Sequence, residues 1–178
     1  MSGTAYLESD AWLSPCGRYR YALTRRWAEG PAAAFVMLNP STADAREDDA
    51  TVRKCVGFAR RWGAGGLVVA NLYALRATDP RDLARAADPV GGEAADHVLR
   101  RVHDLAADIR WVVAAWGGSL PPGGDARARA VVAIVGPLVW CFGRTRGGQP
   151  RHPLMLSYDT RLEEYYLPST IAVERSSP

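Results

Sequence analysis

The chain has 178 residues, of which 48% are apolar and 23% are charged, and its formal net charge is +3. These values are ordinary for one globular domain, and no apolar stretch approaches the roughly 20 residues of a membrane-spanning helix. The three cysteines are odd in number and lack metal-ligand spacing, and there is no signal peptide. We therefore expect a cytoplasmic protein with no membrane partner and no metal site.

The first predicted element is a half-exposed strand over residues 18–27, where apolar and polar side chains alternate. Residues 15–17 suit a turn before it, so the N-terminus is expected to contribute a strand or a hairpin. The alternation places Tyr19, Tyr21 and Leu23 on one face and Arg18, Arg20 and Thr24 on the other.

Four apolar runs of strand length follow, at residues 33–38, 67–71, 111–115 and 138–142. Helical periodicity predicts helices between them at residues 51–62, 93–107 and 125–135, with a short helical turn after residue 80. Asp48, Asp49 or Thr51 would cap the first of these helices, and Asp125 the last. Weaker patterns suggest a strand at residues 154–158 and a short helix at residues 161–166.

This order of elements predicts one domain over residues 1–178, built as a three-layer α/β/α sandwich. The sheet would have a mainly parallel core of four strands, because a strand–helix–strand unit is most simply a right-handed crossover between parallel strands. We expect an ordered core at residues 15–168 and a disordered tail at residues 174–178.

Polar residues stand where the buried strands end. Asn39-Pro40-Ser41 follows the first core strand, Asn71 ends the second, and His152 lies in a loop after the fourth. Open α/β sheets bind ligands at the carboxyl ends of their strands. The two amides and the imidazole are therefore expected to meet at one edge of the sheet.

The rigid turn at Pro40 would hold the Asn39 carboxamide so that it orients a water or accepts a ligand N–H. Alternatively, Asn39 bonds its own backbone in an Asx turn. Three acids follow, and one of them could reach the cleft as a general base or water ligand. Asp48 or Asp49 could instead cap the next helix. The sequence does not decide which of Asp44, Asp48 and Asp49 faces the cleft.

Asn71 offers a donor and an acceptor side by side, which matches the amide or imide edge of a nucleobase. Tyr73 could supply a stacking surface, although tyrosine is also a common strand residue. Trp116, which ends the third core strand, is a further candidate for substrate contact.

His152 could stabilise developing negative charge in a water-poor site, or it could pack on Trp116 or Trp140. Arg144, Arg146 and Arg151 flank two glycines and could clamp a phosphate, although a solvated charged loop is the alternative. The sequence has no Walker motif, no Gly-x-Gly-x-x-Gly after a strand and no nucleophile elbow.

With these residues in view, the chain is identified as a member of the family called domain of unknown function 1643. The resemblance covers residues 18–156 and implies no activity. Its motifs are Tyr19-Arg20-Tyr21, residues 37–44, Asp48-Asp49, residues 71–74, Trp116-Gly117 and residues 148–154.

More distantly, the strand ends resemble those of the uracil-DNA glycosylase superfamily. Asn39-Pro40 resembles the turn that positions the attacking water, Asn71 the base-reading residue, and His152-Pro153 the motif that brings a histidine to the base carbonyl. Leu154-Met155 stand where that superfamily has Ser-Pro. The resemblance therefore implies a similar fold and a nucleobase-sized pocket more than it implies repair of duplex DNA.

The sequence thus favours an N-glycosidic hydrolase acting on a nucleoside, nucleotide or nucleic acid. Asn39, with Asp44 or Asp49, would orient water, and His152 would stabilise the departing base. Pro40, Ser41, Asn71, Tyr73, Trp116, Arg144 and Arg151 would contact the substrate. No metal or organic cofactor is required, because positioned donors suffice for an anionic leaving group. The alternative is a binding module that holds the same ligand without chemistry.

Overall fold

The computed structural model describes residues 6–106, 108–136 and 138–166, which form a mixed α/β fold. The described part has seven strands, four α-helices and a short 3-10 helix at Val102–Asp104. The strands are β1 (Glu8–Leu13), β2 (Arg20–Arg26), β3 (Ala32–Met37), β4 (Gly66–Asn71), β5 (Ile109–Ala114), β6 (Trp140–Cys141) and β7 (Glu163–Glu164). The helices are α1 (Ala50–Arg61), α2 (Arg81–Arg85), α3 (Gly92–Arg100) and α4 (Gly124–Val135).

All seven strands belong to one sheet, in the order β1-β2-β4-β3-β5-β6-β7. The pairs β3–β4, β3–β5 and β5–β6 are parallel, whereas the pairs at both ends of the sheet are antiparallel. After β3, the chain adds β4 on one side of β3 and then adds β5 and β6 on the other side. The chain therefore changes winding direction between β3 and β5, and open α/β sheets place ligands at such a point.

Helices cover both faces of the sheet, because alternate residues of the central strands are buried on opposite sides. Phe35 and Val69 pack with α1 residues such as Phe58 in one cluster. Val36 and Ala70 belong to a second cluster that includes residues of α3 and α4. This two-sided burial is the reason that β3 and β4 read as unbroken apolar runs.

Helix α1 begins at a side-chain cap, one of the alternatives that the sequence offered. The Asp49 carboxylate accepts a hydrogen bond from the Val52 amide at 2.8 Å. Val52, Cys55 and Val56 then recur at helical spacing and are buried against the sheet. The predicted helix at residues 51–62 is confirmed within one residue at each end.

The prediction for β2 gives the right strand but the wrong exposure. Arg20 and Arg25, from opposite faces of the predicted half-exposed strand, are each only 2% exposed. Strand β2 has β1 on one side and β4 on the other, so it is an interior strand. The predicted N-terminal hairpin is present as β1 and β2, joined through a turn at Pro15-Cys16.

Four further local predictions are wrong. Asp125 lies inside the first turn of α4 and makes no cap hydrogen bond, since the cap position is Gly123 in a left-handed conformation. Residues 154–158 form turns, and residues 161–166 contain the short strand β7 instead of a helix. Helix α3 ends at Arg100 rather than near residue 107. The predicted disordered tail at residues 174–178 lies outside the described residues.

Candidate functional site

A cavity of about 240 Å³ opens at the carboxyl ends of β3 and β4. Asn39, Asn71 and His152 all line it, although they are far apart along the chain. Ser41 and Asp49 also line it. The structure therefore brings together five of the residues that the sequence singled out.

Asn39 and Asn71 reach the same cavity because strand alternation puts them on the same face. Asn71 pairs with Met37 across the parallel β3–β4 ladder, and Asn39 follows Met37 by two residues. Met37 and Val69 belong to the cluster on the α1 face. The two carboxamides thus continue two apolar rows at the point where those rows end.

One side of the Asn39 carboxamide is held by backbone. Its Nδ2 donates to the Ala77 carbonyl at 2.7 Å and to the Pro40 carbonyl at 3.0 Å. These bonds fix the orientation of the carboxamide, but they are not those of an Asx turn, in which the side-chain oxygen accepts from a backbone amide. With both Nδ2 protons engaged, Oδ1 is the atom left to accept a hydrogen bond from a ligand or water.

The Asn71 side chain is buried and lacks a hydrogen-bond partner among the described residues. Asn71 is 4% exposed, and neither Nδ2 nor Oδ1 has a hydrogen-bond partner within the described part of the chain. Burying an amide donor or acceptor without a hydrogen-bond partner lowers the stability of the fold by about 1–3 kcal/mol for each such group. Asn71 lines the cavity, and a planar amide ligand bound there would satisfy its unpaired donor and acceptor.

His152 contributes a neutral imidazole to the cavity. Burial lowers the pKa of His152 below its usual 6.5, and the nearby Asp49 carboxylate opposes that shift. The Leu154 amide donates to Nδ1 at 3.3 Å. Because Nδ1 accepts this bond, the ring proton belongs on Nε2, and Nε2 can donate to a ligand.

Asp49 is the one of the three candidate acids that lines the cavity. Asp49 also caps α1, so the same residue both caps the helix and lines the cavity. Asp44 instead accepts bonds from the Arg46 and Glu47 amides, and these bonds lower the pKa of its carboxyl. Asp48 pairs with the buried Arg25, with 2.9 Å between Arg25 Nη2 and Asp48 Oδ1.

Arg20 is a cavity residue that the sequence reasoning missed. Its Nη1 donates to the Ala43 carbonyl, whereas its buried Nε has no described partner. Burial lowers the pKa of Arg20 to about 10, and the charge of Asp49 opposes that shift. Arg20 therefore stays cationic at neutral pH. Its place in the Tyr19-Arg20-Tyr21 motif was the available signal.

Tyr73 and Trp116 are buried on the other side of the sheet. Neither is among the residues that line this cavity. Trp116 packs edge-on against Tyr165 at 5.5 Å between ring centroids, and its Nε1 donates to Gln149 Oε1 at 2.9 Å. Trp116 thus fixes the loop that leads to His152.

The three arginines of the glycine-containing loop do not line the cavity either. Arg144 Nη2 donates to the Tyr166 carbonyl at 2.7 Å, and its guanidinium lies over the Tyr165 ring. Arg146 and Arg151 are exposed. Pro40, also predicted to contact substrate, is buried, and its carbonyl accepts from the Ala77 amide at 2.9 Å.

The residues of this cavity fall within a segment that matches a known family. The sequence profile of the proteins of unknown function DUF1643 matches residues 20–154. The chain belongs to the DUF1643 family. Neither a curated protein nor a solved structure matches it.

The described residues, 6–106, 108–136 and 138–166, lack two features. They hold no group of three or more His, Cys, Asp or Glu side chains placed to bind a metal ion. They also include no helix that is both long and apolar enough to span a bilayer.

Proposed function

We propose that this DUF1643 protein hydrolyses the N-glycosidic bond of a nucleobase-containing substrate. The observation that carries the proposal is the pair of unpartnered amide atoms of Asn71 in a cavity that Asn39, Asp49 and His152 also line. Each of these groups has a separate role in such a reaction.

Base recognition would fall to Asn71. Its Nδ2 and Oδ1 present one donor and one acceptor in a plane, and a base edge with the complementary pair satisfies both. Met37 and Val69 provide apolar walls beside it. The volume of about 240 Å³ is below the roughly 300 Å³ at which pockets for drug-sized ligands begin, so it suits a ligand part of ring size.

Water activation would fall to Asn39 and Asp49. Asn39 Oδ1 is free to accept from a water because its Nδ2 is held by Ala77 and Pro40. Among the described hydrogen bonds, Asp49 uses only Oδ1 for the Val52 amide. Its other carboxylate oxygen is then available to take a proton from the attacking water.

Departure of the base would be assisted by His152 and Arg20. As the bond to the sugar breaks, negative charge gathers on the base. A neutral imidazole that donates from Nε2 stabilises this charge without giving up its proton. The buried Arg20 cation adds a favourable field, because its guanidinium is screened little by solvent.

The resemblance to the uracil-DNA glycosylase superfamily supports this assignment. Asn39 and Asn71, which match its water-positioning and base-reading motifs, line one cavity together with His152 from the third motif. The parallel pairing of β3 with β4 and β5 also suits an open α/β sheet with a ligand at its carboxyl edge.

The test is release of free base from nucleosides, nucleoside 5′-monophosphates and uracil-containing DNA. We expect wild-type protein to release base from at least one of these, and His152→Ala to lower the rate by about 10²–10³. Asn39→Ala should also lower it. His97→Ala, which removes an exposed histidine from α3, is the matched control and should leave the rate unchanged.

Two outcomes would contradict hydrolysis. A substrate that binds to wild-type protein and is never cleaved would assign the cavity to a binding module. If no nucleobase compound binds or reacts, the assignment of the cavity to a nucleobase is wrong.

A further inference from the structure

A second depression adjoins the cavity and shares its wall. This groove has a volume of about 530 Å³ and is lined in part by Arg18, Arg76 and Thr42. Ser41, Ala77 and Thr78 line both the groove and the cavity. A ligand bound in the cavity and longer than the cavity would extend past these shared residues into the groove.

The groove is cationic, and its charge is not neutralised from within. None of its lining residues is acidic. Over the described residues, neither Arg18 nor Arg76 forms a salt bridge. Arg76 makes one long hydrogen bond, from Nη1 to the Gly17 carbonyl at 3.3 Å. Most of the donors of these two guanidinium groups are therefore open to a ligand.

Two backbone contacts hold the segments that carry these arginines together. The Arg76 amide donates to the Arg18 carbonyl at 2.9 Å, and Tyr19 and Leu75 form an antiparallel bridge beside this bond. Arg76 is half-buried, whereas Arg18 is exposed. The field of Arg76 also contributes to lowering the pKa of both Arg20 and Asp44, so it extends to the cavity.

Hydroxyl groups complete the lining. Ser41, Thr42 and Thr78 line the groove, and none of their side chains makes a described hydrogen bond. Phosphate oxygens accept hydrogen bonds from hydroxyls and paired bonds from the planar guanidinium fork. Two free guanidinium groups and three free hydroxyls suit one tetrahedral anion.

We propose that Arg18 and Arg76, with Ser41, Thr42 and Thr78, bind the phosphate of the substrate whose base enters the cavity. The substrate class is then a phosphorylated nucleoside, either free or as part of a nucleic-acid strand. This inference rests on the proposed function for the base, but the phosphate site can be tested without a base.

The test measures dissociation constants for wild-type protein and for the double variant Arg18→Gln/Arg76→Gln. Glutamine keeps much of the side-chain length and removes the charge. The ligands are the 5′-monophosphates of adenosine, guanosine, cytidine and uridine, the four nucleosides, ribose 5-phosphate and a short single-stranded oligonucleotide. Arg100→Gln/Arg129→Gln, on exposed positions of α3 and α4, is the control with the same loss of charge.

Wild-type protein should bind at least one monophosphate about tenfold or more tightly than its nucleoside, which corresponds to about 1.4 kcal/mol. The double variant should lose this preference and the binding of ribose 5-phosphate, and the control should keep both. If wild-type protein binds the oligonucleotide more tightly than the monophosphates, and the double variant loses this binding, the phosphate belongs to a nucleic-acid strand. If the oligonucleotide binds no more tightly than the monophosphates, the phosphate belongs to a free nucleotide.

Two results overturn the proposal: equal affinity for phosphorylated and unphosphorylated nucleosides, or a phosphate preference that survives in the double variant. A wrong assignment of the base would give a different result. Ribose 5-phosphate would then bind as tightly as every nucleotide, and the double variant would still lose the binding of ribose 5-phosphate.

Discussion

Gly117 lies against His152. A β-carbon placed on Gly117 would lie 3.3 Å from the β-carbon of His152, and the Gly117 amide donates to the Pro150 carbonyl at 3.0 Å. The residue after Trp116 at the end of β5 thus supports the loop that carries the imidazole. Its own φ of +81° is in the left-handed region, which glycine adopts without strain.

Gly117→Ala should therefore move His152 as well as strain the backbone. We expect a loss of about 1–2 kcal/mol in the free energy of unfolding, because a residue with a β-carbon is disfavoured at this φ. Ligand binding in the cavity should weaken too. Gly63→Ala is the matched control, since Gly63 has a φ of +78° and no atom within 4 Å of an added β-carbon. Urea denaturation should show a similar loss for both variants, and binding should fall only for Gly117→Ala.

Asn71→Leu should stabilise the protein and abolish recognition of the base. The substitution removes two buried polar atoms without partners and leaves a side chain of similar size. We expect the free energy of unfolding to rise by about 1–3 kcal/mol. Asn39→Leu, which breaks two hydrogen bonds, should instead lower it. If urea denaturation shows a clear loss for Asn71→Leu, the amide has a structural partner after all.

Asn39→Asp should impair the protein although the shape of the side chain is kept. The atom that replaces Nδ2 would be a carboxylate oxygen facing the Ala77 and Pro40 carbonyls, which accept but cannot donate. A loss of about 1–3 kcal/mol in the free energy of unfolding is expected at neutral pH. Protonation of the new carboxyl restores a donor, so the loss should shrink in acid. Denaturation at several pH values checks this, and a loss that is the same at every pH would count against it.

The stability of the fold should fall in mild acid because of His152. Burial lowers the pKa of His152 below 6.5 in the folded state, so the unfolded chain binds the proton more readily. This contribution to stability is fully present above about pH 6.5 and is lost as the pH falls through the lowered pKa. His152→Gln should flatten the pH dependence in that range. An NMR titration of the His152 ring with a midpoint at or above 6.5 would refute the prediction.

Removing the Asp48 carboxylate should be far more damaging than removing an exposed one. Asp48 pairs with Arg25, whose side chain is fully buried, and it also accepts from the Tyr6 hydroxyl. Asp48→Ala is expected to cost about 3–5 kcal/mol, because Arg25 would be left as an uncompensated buried charge. Asp79→Ala breaks an exposed pair with Arg81 and should cost at most about 1 kcal/mol. Equal costs in urea denaturation would show that the buried pair adds nothing.

Much of the central fold could be predicted because its signals are local. The apolar runs at residues 33–38 and 67–71 and the helix between them correspond to β3, β4 and α1. The α/β class follows from that alternation. Predictions failed where the deciding contact is remote in sequence. Strand β7, for example, exists through its pairing with β6, and its two glutamates carry no strand pattern of their own.

The candidate site was predictable in part for the same reason. Asn39, Asn71 and His152 stand at element ends, where a polar residue after an apolar run is visible in the sequence. Trp116 could have been assigned to the opposite face, since it has the same parity as Val112 and Ala114. Arg20 could not be found by alternation, because its guanidinium is buried against the loop after β3, where Nη1 donates to the Ala43 carbonyl.

The cavity and groove draw residues from the turn before β2 through the loop after β6, so a ligand held there would connect distant stretches of the polypeptide. Such a compound binds the native conformation and not the denatured chain. At a concentration of 100 times its dissociation constant it should therefore add about 2.7 kcal/mol to the unfolding free energy. A thermal-shift screen of metabolite libraries can exploit this effect to find the physiological ligand without any assumption about the reaction.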